Sequence, residues 1–203
     1  MSQSGCTMAL GGIVALPTIA ATPSTQNDDS INWVGPKSGY TPQIGTLVSM
    51  MNWMRNTVLR SLDGMTVKDL DYIHDDDSNS IGAMLWHLAS TERFYQINTF
   101  QGKPWGEWSE EDDNKWSLAM SLGAAARAEI KGHDLDFYLE KLNGVREDSL
   151  KELAERDDEW LLAEDPDWGW SGGVINNYCK WFHVVEHESN HNGQIKWLAS
   201  RVA

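Results

Sequence analysis

The stretch VVEHESNHNGQIKWL, residues 184–198, decides the fold predicted for this chain. Five of its residues follow one another at steps of three, four, four and three: Val184, His187, His191, Ile195 and Leu198. Such steps mark one face of an α-helix, because the helix turns once every 3.6 residues or so, about 100° per residue. The two histidines therefore share the apolar face of a helix, at positions where a helical bundle normally has Leu or Ile.

The same helical spacing recurs in three earlier stretches, and no stretch alternates like a β-strand. Segment 103–115 is predicted as a loop and segment 116–130 as a short extra helix. Together these features predict an all-α protein, a four-helix bundle with a short extra helix and long connections. The first of the four long helices is predicted to begin with Thr41 as N-cap and Pro42 as its first residue. The other three are predicted to run from Ser80 to Gly102, from about 133 to 156, and from about 174 to 200.

The composition argues against some classes of partner. The chain has 30 acidic and 16 basic residues, a formal net charge of −14. Such a surface repels phosphate groups, so neither a nucleic acid nor an anionic membrane is expected as a partner. At 203 residues one domain is expected, the bundle over residues 40–203. Two cysteines are too few for a disulfide framework, and Cys179 is predicted to be a small core residue.

Residues 1–30 are interpreted as a leader or a disordered tail. Residues 8–21 are small and apolar, like the hydrophobic part of a secretory signal, yet no Lys or Arg precedes Lys37. The stretch is too short, and too often interrupted by Gly and Pro, to span a membrane. Two alternatives stay open: an exported protein whose signal peptide includes residues 1–22, or a cytoplasmic protein with a flexible tail.

A pair of histidines one turn apart on an apolar face has two explanations. They are hydrogen-bonded core residues, or they share one metal ion, since residues at i and i+4 face the same way. The metal is favoured, because two buried imidazoles otherwise need several polar partners. His183 lies eight residues before His191, about 12 Å along the axis, and is interpreted as a flanking residue. The candidate third ligand is His87, in the apolar stripe of SIGAMLWHLASTE, residues 80–92.

The segment HESNH, residues 187–191, also matches H-E-x-x-H, the pattern that marks zinc metalloproteases when it lies on a helix. In those enzymes the third ligand lies downstream. Here 12 residues follow His191, and none of them is His, Asp or Glu. A zinc protease is therefore the least favoured interpretation.

The segments SIGAMLWHLASTE (80–92) and HVVEHESNHNGQI (183–195) together resemble the DinB-like superfamily, which includes the YfiT-type proteins. The resemblance extends over about residues 40–201. It implies a four-helix bundle, often a homodimer, with one divalent metal ion bound by His87, His187 and His191. Asn190 stands where many members have a further histidine, which is not a ligand in the family pattern.

The resemblance also implies a function. Characterised relatives use a low-molecular-weight thiol such as bacillithiol or mycothiol, and others are described as metal-dependent hydrolases. The expectation is a thiol S-transferase or hydrolase acting on a small-molecule substrate, in which Zn, Ni, Fe or Mn activates a thiol or water. The competing expectations are a non-catalytic bundle stabilised by its metal, and a ligand-binding or interaction protein.

Supporting roles are predicted for five further residues. Glu188 acts as a base or fixes a ligand ring, or else is a solvated charge. Gln194 accepts a hydrogen bond from an imidazole N–H. Glu92 has a supporting role at the site, or else it pairs with an Arg or Lys. Trp168 and Trp170 form the roof of the pocket, or else plug the end of the core.

Overall fold

The computed structural model describes residues 30–167 and 173–202. Of these residues 67% are helical and 2% lie in strands, which confirms the predicted all-α class. Nearly all of the predicted leader lies outside the described residues, as do Trp168 and Trp170. The described elements are, in chain order, α1 (Pro42–Leu59), α2 (Val67–Leu70), α3 (Ile81–Gln101), α4 (Glu110–Ser121), α5 (Gly123–Glu129), α6 (Leu135–Ala154), α7 (Asp158–Leu162), β1 (Glu164–Asp165), β2 (Ile175–Asn176) and α8 (Asn177–Val202).

The four long helices α1, α3, α6 and α8 form the predicted bundle. Helix α1 packs against α8, and α3 packs against both α6 and α8, while α4 lies along α3. None of the helices in the described part of the chain combines the length and apolar character needed to cross a bilayer. The core between the helices is aliphatic and aromatic and includes Leu47, Met51, Leu85, Leu88, Tyr95, Leu142, Trp181, Ile195 and Leu198.

Helix α3 begins and ends where the sequence predicts. The hydroxyl of Ser80 accepts a hydrogen bond from the backbone N–H of Ala83 at 3.1 Å, the usual N-cap contact. The helix ends at Gly102, whose φ of 65° is the left-handed conformation that favours glycine. These two caps define the ends of the helix that carries His87.

The start of α1 is capped differently from the prediction. Thr41 is in the N-cap position, but its side chain accepts no hydrogen bond from the helix. The carboxylate of Asp158 in α7 instead accepts from the backbone N–H of Gln43 at 3.0 Å and of Ile44 at 3.2 Å, and from the hydroxyl of Thr41. A carboxylate is favoured at this position because the N-terminal end of a helix carries a partial positive charge.

The segment before Trp116 was predicted as a loop, and this is partly wrong. Residues 110–115 belong to α4, because Ser109 caps the helix by accepting from the N–H of Asp112 at 3.0 Å, and acidic residues fill its first turn. The predicted single extra helix is divided into α4 and α5 at Leu122, which has a φ of 50°.

The start of α8 corrects the prediction for Cys179. The antiparallel pair of β1 and β2 leads directly into this helix, with Glu164 opposite Asn176. In the first turn of α8 the inward positions belong to Lys180 and Trp181, which are both buried. Cys179 is therefore exposed and is not a core residue.

Candidate metal centre

Helices α3 and α8 bring three histidines together: His87, His187 and His191, called here the three-histidine cluster. The Nε2 atoms of His87 and His187 are 2.9 Å apart. The ring of His191 lies 5.0 Å from that of His87 and 4.6 Å from that of His187, measured between centroids. Each ring offers one nitrogen such that all three nitrogens lie within 4.8 Å of one another.

The hydrogen bonds of Nδ1 in His87 and His191 determine which ring nitrogen is free to bind a metal ion. The Nδ1 atom of His87 lies 2.9 Å from the carbonyl oxygen of Ala119 in α4, which can only accept, so Nδ1 carries the proton. The Nδ1 atom of His191 likewise donates to Oε1 of Gln194 at 3.0 Å. In both residues Nε2 is therefore left with its lone pair.

The cluster is held in the uncharged form at neutral pH. Burial, together with the neighbouring His191, lowers the pKa of His87 from 6.5 to about 4. Burial and the other imidazoles lower the pKa of His187 from 6.5 to about 3. The pKa of His191 is also lowered, mainly by burial. Neutral imidazoles are the form that binds metal ions.

The family model described as mycothiol-S-transferase matches residues 46–202 of the chain. The chain belongs to this family. The family is DinB-like, which confirms the resemblance seen in the sequence. A solved structure, the conserved protein of a locus from Enterococcus faecalis, superposes with a TM-score of 0.58 at 14% identity, covering 75% of this chain and 92% of that chain. At this identity the similarity concerns the fold alone. No curated protein matches the chain.

The donor set of this mycothiol-S-transferase family member fits a divalent transition metal ion. Three neutral imidazoles from two helices converge within 4.8 Å, and imidazole nitrogen suits Zn, Ni and Fe. Three protein ligands leave at least one coordination position for a small molecule, whereas structural zinc sites usually have four protein ligands.

The buried face of α8 agrees with the prediction at Val184, Ile195 and Leu198 and differs from it between them. From Val184 onward its buried residues are Val184, Glu188, Asn192, Ile195 and Leu198. His187 and His191 lie beside this face and are partly buried, next to α3. Steps of four, four, three and three also follow the period of a helix, so the spacing alone does not show which pair is buried, His187 and His191 or Glu188 and Asn192. The interpretation of Glu188 as a solvated charge is wrong, since only 2% of this residue is exposed.

Glu188 belongs to a buried charge network, defined here as Arg55, Glu92, Arg146 and Glu188, with one residue from each long helix. Arg55 donates to Glu92 at 2.8 Å and, through Nε, to Glu188 at 2.8 Å. Arg146 donates to Glu92 at 2.7 Å and to Glu188 at 2.9 Å. Two positive and two negative charges therefore neutralise one another at the centre of the bundle.

The network is deeply buried, with exposed fractions between 0% for Glu92 and 6% for Arg146. Burial alone would raise the pKa of Glu92, but Arg146 and Arg55 outweigh it and hold this pKa below its usual range. Glu92 is therefore paired with two arginines, which is the alternative predicted for it. Arg55 and Arg146 were not predicted as functional residues, although both lie close to apolar helix positions where a charge needs a buried partner.

The network also bears on the H-E-x-x-H pattern. Glu188 accepts hydrogen bonds from Arg55 and Arg146, and its described contacts include none to the histidines. A glutamate neutralised in this way is poorly placed to act as the general base of a zinc protease.

His183, the predicted flanking residue, lies outside the three-histidine cluster, and its Nδ1 atom is 2.8 Å from the hydroxyl of Tyr95.

The lowered pKa values predict that the metal-free protein loses stability in acid. Below pH 6.5 the unfolded chain binds protons at these histidines, whereas the folded chain does not until the pH approaches about 4 at His87. Stability is therefore complete above pH 6.5 and falls as the pH decreases, by about 2 kcal/mol at His87 alone between pH 7 and pH 5. Urea unfolding of the metal-free protein at several pH values measures this. A His87→Gln variant should show a flatter dependence, and a dependence as steep as that of the wild type would contradict the prediction.

Proposed function

We propose that the protein is a metal-dependent S-transferase that joins a low-molecular-weight thiol, of the mycothiol class, to a small electrophile. The observation that carries the proposal is the three-histidine cluster, in which the offered nitrogens lie within 4.8 Å. Membership of the mycothiol-S-transferase family, whose model matches residues 46–202, supports the thiol as cosubstrate. The homodimer implied by the sequence resemblance belongs to this proposal as well.

The chain's own residues have two tasks in the proposed reaction. His87, His187 and His191 hold the ion, and the carbonyl of Ala119 and the amide of Gln194 fix the orientation of two of the rings. A bound divalent ion supplies a Lewis acid that lowers the pKa of a thiol near it. The burial that keeps the imidazoles neutral also limits the access of water to the sulfur.

The reaction is a substitution at carbon. The thiolate sulfur forms a bond to the electrophilic carbon, and the leaving group departs with the electron pair of its broken bond. The proton of the thiol passes to solvent. No oxidant or reductant is needed, so the thiol, the electrophile and the protein are sufficient once the metal site is filled.

Two other functions are compatible with the same cluster. Hydrolysis would use water in place of the thiol, and a non-catalytic bundle would use the ion only to hold α3 and α8 together. The thiol transferase is favoured over both because of the family to which the chain belongs. The network of Arg55, Glu92, Arg146 and Glu188 already joins all four long helices, so an ion is not the only link between α3 and α8.

The test is a conjugation assay on the full chain. The protein is depleted of metal with a chelator, loaded separately with Zn, Ni, Fe or Mn, and given mycothiol and 1-chloro-2,4-dinitrobenzene. We expect about one equivalent of metal by mass spectrometry and a conjugation rate above the spontaneous rate only after loading. Conjugation that is equally fast in the metal-depleted protein would contradict the proposal. Hydrolysis of p-nitrophenyl acetate without any thiol conjugation would favour the hydrolase.

A further inference from the structure

The hydroxyl of Thr91 faces the three-histidine cluster. Thr91 lies on α3 four residues after His87, so the two side chains share one face of the helix. Its Oγ1 atom is 3.4 Å from Nε2 of His187, and the same nitrogen is 2.9 Å from Nε2 of His87. The hydroxyl therefore lies on the side of the cluster where these two Nε2 atoms meet.

The orientation of this hydroxyl differs from that of the other threonines in the long helices. Thr46, Thr57 and Thr99 each donate to the carbonyl oxygen four residues earlier in their own helix, at 2.7–2.9 Å, a common arrangement for threonine inside a helix. The described contacts of Thr91 include no such bond to the carbonyl of His87. Its Oγ1 atom points across to α8 and not back along α3.

Both described contacts of the Thr91 hydroxyl are weak. Only 3% of the residue is exposed, and a buried hydroxyl is costly unless it forms a good hydrogen bond. The contact with Nε2 of His187 is long, at 3.4 Å. The other contact goes to Sδ of Met120 in α4 at 3.8 Å, and a thioether sulfur is a weak acceptor. The capacity of this hydroxyl to donate is thus largely unused at the edge of the cluster.

Binding of an ion at the cluster would remove one of these two contacts. When Nε2 of His187 gives its lone pair to an ion, as proposed above, this nitrogen can no longer take part in a hydrogen bond. The hydroxyl of Thr91 then needs another acceptor beside the same nitrogen. Three protein ligands leave at least one coordination position for a small molecule, which can supply that acceptor.

We propose that Thr91 donates a hydrogen bond to the sulfur of the thiol cosubstrate and thereby favours its thiolate form. Hydrogen bonds to ionised acceptors are about twice as strong as those to neutral ones, and the buried surroundings strengthen them further. The inference rests on the proposed function for its thiol, and it adds the residue that recognises the sulfur. Water would accept the same bond, so the test follows the thiol itself.

The test measures thiol binding to the full chain loaded with cobalt(II), because a sulfur bound to cobalt gives a charge-transfer absorption band. The dissociation constant of 2-mercaptoethanol is determined for the wild type, for Thr91→Val, which has nearly the same shape without the hydroxyl, and for Thr91→Ser, which keeps the hydroxyl. We expect Thr91→Val to weaken binding about tenfold or more, the effect of losing a hydrogen bond to a charged acceptor. Thr91→Ser should stay within a few-fold of the wild type.

Two controls separate the hydrogen bond from damage to the site. Imidazole binds cobalt(II) through a nitrogen that has no second lone pair to accept from Thr91. Its affinity should therefore be the same for the wild type and Thr91→Val, and the affinity for cobalt(II) itself should change by no more than a few-fold. Thr46→Val removes a hydroxyl that bonds to its own helix and should leave the affinity for 2-mercaptoethanol unchanged.

The outcomes distinguish this inference from the proposed function. Equal binding of 2-mercaptoethanol to the wild type and Thr91→Val would overturn the inference, and so would an equal loss of affinity for the thiol and for imidazole. Weaker thiol binding to Thr91→Val, found together with a wild type that conjugates no electrophile, would contradict only the transferase. If the wild type bound no thiol after treatment with cobalt(II), both proposals would fail.

Discussion

Replacing Glu92 by Gln is expected to lower the free energy of unfolding by about 3–5 kcal/mol, because it leaves a buried positive charge without its partner. Glu92 is fully buried and accepts hydrogen bonds from Arg55 and Arg146. After the substitution only Glu188 balances the two guanidinium groups. A domain of this kind is typically stable by about 5–15 kcal/mol, so the loss is a large share of the total. Urea unfolding followed by circular dichroism measures it.

Two control variants separate burial from charge pairing. The double substitution Glu92→Leu with Arg146→Met removes one charge of each sign and should cost much less than Glu92→Gln, because the remaining Arg55–Glu188 pair is neutral. Arg156→Met breaks the more exposed pair with Glu152 and should change stability by less than about 1 kcal/mol. If Glu92→Gln were as mild as Arg156→Met, the network would not be the buried charge balance described above.

The second large effect is expected from His187→Ala. Substitutions beyond the direct ligands of a metal typically reduce metal affinity or activity by about 10–100-fold, so the removal of a proposed ligand should cost more than about 100-fold. After the substitution only two of the three converging nitrogens are left to bind the ion. Metal affinity is measured by competition with a chromogenic chelator, and the metal-dependent conjugation rate is measured in parallel.

His183→Ala is the matched control for this prediction. His183 lies on the same helix, one turn before His187, and its Nδ1 atom pairs with the hydroxyl of Tyr95. Its replacement should leave the metal affinity within a few-fold of the wild-type value. A metal affinity that fell equally in both variants would indicate that the ligand set differs from the three-histidine cluster.

The bundle could be predicted because its signals are local. Apolar spacing, the Ser80 cap and the left-handed Gly102 act within a few residues of the chain, and each gave the correct element. The cap of α1 could not be predicted in the same way, because its acceptor, Asp158, lies more than a hundred residues away. Residues 110–115 were missed because acidic residues look like a loop when their favourable position at a helix start is not considered.

The sequence by itself determined that His187 and His191 stand one above the other on α8, because the i, i+4 relation is a property of any helix. Only the tertiary structure decided that Glu188 and Asn192, and not His187 and His191, complete the buried face of α8, since neighbouring residues lie about 100° apart around the helix axis. The observed orientation of α8 places Glu188 among the arginines and brings the two histidines beside His87. The ring orientations depend likewise on the carbonyl of Ala119, supplied by a helix whose packing is not encoded in the histidine segments themselves.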